Sequence, residues 1–117
     1  MKTSELTDTL LDLWVAKAQG KQNCFISPKF DACWDNELTD DNDSQDGIYS
    51  PSTNWSQGGP IIEREQIFLG PMTLSGSMWS AQCQNAPRID SKGTALVAAM
   101  RAYLVATFGD EVPDETN

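Results

Sequence analysis

A chain of 117 residues is long enough to bury one hydrophobic core and too short for two, and its 17 Asp and Glu against 8 Lys and Arg leave a formal charge of −9. That charge repels nucleic-acid phosphates and anionic membrane surfaces. No apolar run nears the roughly 18 residues of a membrane span, and no signal-type segment opens the chain, so direct nucleic-acid and membrane partners are excluded and a cytoplasmic location is expected.

The apolar positions Leu6, Leu10, Leu11, Trp14, Val15 and Ala18 recur at helical spacing. They predict an amphipathic helix over Ser4–Gln19, capped by Thr3 or Ser4 and stopped by Gly20. Asp8, Asp12 and Lys17 then form its solvated face, and Trp14 belongs to the core. Asn23–Ser27 and Phe30–Trp34 have the aromatic and β-branched content of two short strands. From Asp35 to Gly47 the chain is polar and acidic, with too little apolar surface to offset the entropy of ordering, so a mobile surface loop is expected. Asp41, Asp43 and Gln45 alternate like calcium-loop ligands, but Asp46 stands where such a loop needs Gly, and Ser52 where it needs Glu.

Gln66–Leu69 and Ser77–Gln84 read as strands of a hairpin turning through Gly70, Pro71 and Gly76, with Trp79, Ala81 and Cys83 on one face. After a loop containing Pro87, the Ser91-Lys92 dipeptide and Gly93, a 3.6-residue period from Ala95 to Phe108 predicts a second helix, with Arg101 on its solvent side. Gly109 stops it, and Val112-Pro113 begins an extended acidic tail. The order predicts a single α+β domain over residues 1–117, a small antiparallel sheet covered by an N-terminal and a C-terminal helix. Its acidic loop falls at about 35–47 and its acidic tail at about 110–117.

Candidate chemistry is narrowed first by the absence of histidine, which removes the commonest general base near neutral pH and the commonest zinc ligand. Cys24, Cys33 and Cys83 are scattered, without CxxC spacing, and fit reduced, idle thiols. No catalysis, metal or cofactor is expected. The segment Tyr49–Glu65 differs from its surroundings. Tyr49 and Trp55 could stack on a base, Ser52, Thr53, Asn54, Gln57 and Arg64 could supply hydrogen bonds, and Gly58-Gly59 lets the backbone pass close to a neighbour. If Pro60 opens a helical turn, the Ile61 and Ile62 amides face outward and could take a phosphate. The same residues also read as core, caps and turn.

The string from Tyr49 to Glu65, together with Lys2–Leu6, Val15–Gly20, Leu96–Arg101 and Gly109–Pro113, resembles the NinX family of small phage proteins. The resemblance implies a phage or prophage gene expressed inside a bacterial host, and brings no established activity with it. By analogy with small phage proteins that sequester cyclic nucleotide or ADP-ribose-type defence signals, the leading expectation is a non-enzymatic binder of a small anionic, nucleotide-type ligand. The segment Tyr49–Arg64 would hold it, in one or two subunits of a homo-oligomer. The alternative is an acidic inhibitor that mimics nucleic-acid charge against a host protein.

Overall fold

In the computed structural model, residues 1–39, 45–72 and 78–113 are described. The expected first helix begins later than its period suggested. Thr3–Glu5 forms a single 3₁₀ turn, Leu6 and Thr7 are extended, and α1 runs Asp8–Ala18. The cause is a long-range tether: the Thr3 amide donates to Asp110 O at 2.9 Å and its hydroxyl to Gly109 O at 2.7 Å. Thr3 is fully buried, and bonds to the far end of the chain outweigh one more turn of helix. Trp14 is core, edge-on to Phe108 at 5.3 Å. Asp12, expected on a solvated face, is buried instead, because α1 packs between the first strands and the last helix.

β1 (Cys24–Ser27) and β2 (Ala32–Asp35) pair antiparallel, Cys24 opposite Asp35 and Ser27 opposite Ala32. The ends of the acidic segment are fixed, not loose. Asp35 is fully buried and meets Lys21 Nζ at 3.0 Å, and Gly47 lies flat against the Trp34 ring, where a Cβ would come within 2.3 Å. Of the rest of that expected loop, residues 40–44 lie outside the described residues.

α2 (Trp55–Glu65) is followed by a three-stranded antiparallel sheet, β3 (Ile67–Met72), β4 (Met78–Cys83) and β5 (Ile89–Lys92), in the order β3-β4-β5. Gly70 and Pro71, expected in a turn, extend β3 opposite Ser80 and Trp79, and Gly76 lies outside the described residues. Ala81 and Cys83 face the core as the alternation predicted, with Trp79 half-buried on the same side. β5 is the unforeseen strand: Ser91-Lys92, read as loop, pairs with Trp79 and Met78.

α3 (Ala95–Phe108) starts at Thr94, whose hydroxyl accepts the Val97 amide at 3.2 Å, and ends at Gly109 with φ +86°. It lies against all three strands of the larger sheet as well as α1 and α2, so it is buried nearly all round from Ala98 to Val105. Arg101 is therefore buried too, contrary to the solvent side expected for it. The tail also returns to the body: Val112 is buried, its amide donates to Met1 O at 3.0 Å, and the backbones of Lys2 and Glu111 form an isolated antiparallel β-bridge. Residues 114–117 lie outside the described residues. The architecture is α+β, with three α-helices and two small antiparallel sheets among the described residues. Among the described residues, no helix is long and apolar enough to cross a membrane.

Candidate functional site

Pro60 does not open a helix. Asn54 does: its side chain accepts both the Ser56 amide at 2.9 Å and the Ser56 hydroxyl at 2.7 Å. Its carbonyl accepts the Gln57 and Gly58 amides, so this helix end is satisfied from within, and Pro60 sits in the second turn with Ile61 and Ile62 behind it. Proline there forfeits a helical hydrogen bond and crowds the residue before it, which is Gly59. Gly58 serves packing: a Cβ would lie 2.3 Å from Pro51 O and 2.6 Å from Leu96 Cδ1.

The expected ligand residues point in different directions. Tyr49 is buried, its hydroxyl accepting from Gln19 and its ring beneath Lys21. Gln57 is committed to the chain, accepting the Ser50 amide at 2.6 Å and donating to Ile48 O at 3.2 Å. Trp55 is 56% exposed, and Arg64, also exposed, meets Glu65 at 2.9 Å. Ser52 and Thr53 line an acidic concavity against α1. The three thiols are held protonated by burial, Cys24 pushed up to about 11, Cys33 to about 12 and Cys83 also upward. Among the described residues no three acids or thiols gather as a metal site.

The N-terminal turn and β5 instead form the walls of a groove. It consists of two concavities, about 370 and 360 Å³, which share Ser4. Lys2 and Arg88 line the first, Lys92 and Arg101 the second, so four of the chain's eight cations stand here, beside Glu5, Asp90, Asp110 and Glu111. The groove is electrically balanced in a protein that elsewhere carries the whole excess of −9.

Arg101 is its least ordinary member. The guanidinium, 8% exposed, donates from Nε to Leu6 O at 2.8 Å and from Nη1 to Ser91 Oγ at 2.7 Å and Lys92 O at 3.3 Å. All three acceptors are neutral. No carboxylate pairs with it among the described residues, and Nη2 has no protein acceptor there yet is not sealed from solvent. Burial accordingly lowers its pKa, while Asp8 and Glu5 act from a distance in the other direction. Such a group can take an oxyanion with little further desolvation, and Lys92 and the Ser4 hydroxyl stand within the same concavity.

Sequence patterning could not assemble this groove, since its residues come from positions 2–5, 87–92, 101, 105 and 110–111. The signal that was present is the single arginine inside Ala98-Ala99-Met100-Arg101-Ala102-Tyr103-Leu104, a cation flanked on both sides by apolar residues. The family model described as Bacteriophage P22, NinX matches residues 2–107. No curated protein matches the chain.

Proposed function

Since the match spans nearly the whole chain, this protein belongs to the bacteriophage P22 NinX family and is a phage accessory protein, and we propose that it acts by binding a small anionic ligand without transforming it. One observation carries the reading: Arg101 is buried with a free Nη2 and no carboxylate partner among the described residues, and it opens onto a groove where cations balance acids. A phosphate or phosphate-like group on that guanidinium supplies the missing opposite charge, and Lys92 closes on it from β5. The segment Tyr49–Arg64, first expected to hold the ligand, then serves to dock α2 on α3, and Thr53, Asn54, Trp55 and Arg64 are the members of the expected set that remain outward for a larger ligand or a second subunit.

The test is titration of the purified protein with nucleoside phosphates, cyclic dinucleotides and cyclic ADP-ribose isomers, followed by heat and by Trp fluorescence. Binding by one class, weakened about five- to tenfold in Lys92→Ala, is expected from loss of one charge-assisted contact. Lys92 is exposed, so this variant leaves the Arg101 tethers in place. Silence across all three classes, or affinity indifferent to Lys92, would overturn the assignment.

A second reading has its own observation. The residues outside the groove account for the entire net charge, which suits a basic host protein better than any anion. Asp40→Asn, Asp41→Asn and Asp43→Asn combined should abolish host-protein capture under that reading, and leave ligand titrations unchanged under the first.

A further inference from the structure

A second buried charge lacks an opposite charge, at the junction of α1 with the turn at residues 50–53. Asp12 is 5% exposed, and its Oδ1 accepts the Ser52 amide at 2.9 Å. Its Oδ2 receives no hydrogen bond and no ion pair among the described residues, and it is not sealed from solvent. It opens onto a concavity of about 430 Å³ lined by three acidic residues, Asp8, Asp12 and Asp31, by the hydroxyl-bearing Thr9, Ser50, Ser52 and Thr53, and by Ala32. No lysine or arginine is part of that lining. Ser52 is itself 1% exposed, and its hydroxyl stands near enough to the carboxyl to favour ionisation but has no hydrogen-bond partner. Ser52 Oγ is thus buried without a partner, and the second Asp12 oxygen faces the cavity without an opposite charge, which a cationic ligand supplies.

We propose that this concavity binds a primary ammonium group, seated on Asp12 Oδ2 with the surrounding hydroxyls as further acceptors. The chemistry separates this ligand from its rivals. A guanidinium is best held by both oxygens of a carboxylate, and Oδ1 is already committed to the Ser52 amide. A divalent metal needs several hard ligands converging, and no three acids among the described residues are so placed. An ammonium offers three donors from a point, which one carboxylate oxygen and two hydroxyls satisfy. Burial raises the Asp12 carboxyl to about 6, and Asp8 pushes in the same direction, so the group is ionised at neutral pH but poorly compensated. Asp8 and Asp31 are the other titratable groups lining the space, and both add to its negative potential.

The ammonium can come from a free diamine or from a lysine side chain of a partner protein, and two probes distinguish these. The full chain is titrated calorimetrically at pH 7.5 with 1,4-diaminobutane and with Nα-acetyl-lysine methylamide. Saturable binding is expected, weaker by at least tenfold in Asp12→Asn with an unchanged circular dichroism spectrum. In the wild-type protein it should be about tenfold weaker at pH 5, where the carboxyl is mostly protonated. Preference for the diamine assigns the site to a free amine, and equal or better binding of the lysine derivative assigns it to a partner's side chain. The proposal is overturned if neither probe binds at millimolar concentration, if Asp12→Asn binds as well as the wild type, or if magnesium displaces the probes at matched ionic strength.

Discussion

Asp12 was legible as an acid on a helix and illegible as a buried one. Its position one turn after Asp8 suggested a solvated face, and nothing in the local pattern announces that residues 50–53 fold over it. The consequence can be measured. Its pKa is raised from 3.8 to about 6 by burial, with Ser52 opposing, so the folded state binds a proton more readily than the unfolded chain. A carboxyl raised in this way contributes stability that is present below pH 4 and lost as pH rises through 6. Asp12→Asn keeps an acceptor for the Ser52 amide and removes the penalty. It should be more stable than the wild type near pH 7.5 by on the order of 2–3 kcal/mol, a gap that closes as pH falls from 6 toward 4. Urea denaturation at several pH values gives the difference directly, and a gap that widened in acid would mean that the carboxylate is stabilising after all.

At the scale of elements, periodicity located α1, α3 and the β3–β4 pair, because each has a buried face set by its own spacing of apolar residues. It failed where tertiary contacts decide. β5 offers one apolar residue, Ile89, and exists because β4 presents a free edge to it. α2 was hidden by Gly58-Gly59-Pro60, which reads as a turn in isolation. The two glycines nevertheless have separate reasons, and substitution should expose them. Gly58→Ala places a Cβ against Pro51 O and the Leu96 side chain, and should cost about 1–3 kcal/mol. Gly59→Ala meets nothing within 4 Å. There the helix gain of roughly 0.5–1 kcal/mol is opposed by crowding against the proline ring, so a change of no more than about 0.5 kcal/mol is expected. Equal losses at the two positions would assign both glycines to backbone conformation and not to packing.

For the whole molecule, composition gave the acidity correctly and concealed its distribution. Cations and acids balance along the groove, while the remaining residues carry the net −9, a separation set by which distant segments become neighbours. The candidate site was unreadable for that reason, whereas the fold class followed from short-range pattern alone. Self-repulsion among the excess acids outside the groove should make the fold sensitive to ionic strength. The melting temperature is expected to rise by a few degrees between about 20 mM and about 300 mM NaCl as the screening length shortens to within a few ångströms of contact distances. A falling melting temperature would instead show that ion pairs such as Lys21–Asp35 dominate the balance.

The clasp between Thr3, Gly109 and Asp110, continued by Met1 and Val112, has a practical corollary. Residues 1 and 113 emerge side by side at the rim of the groove, whose walls include Lys2, Ser4, Asp110 and Glu111. A purification handle fused at residue 1 replaces the ammonium group that donates to Val112 O, one residue from the Lys2 wall of the groove. The same closeness makes a short covalent joint between residues 113 and 1 geometrically inexpensive.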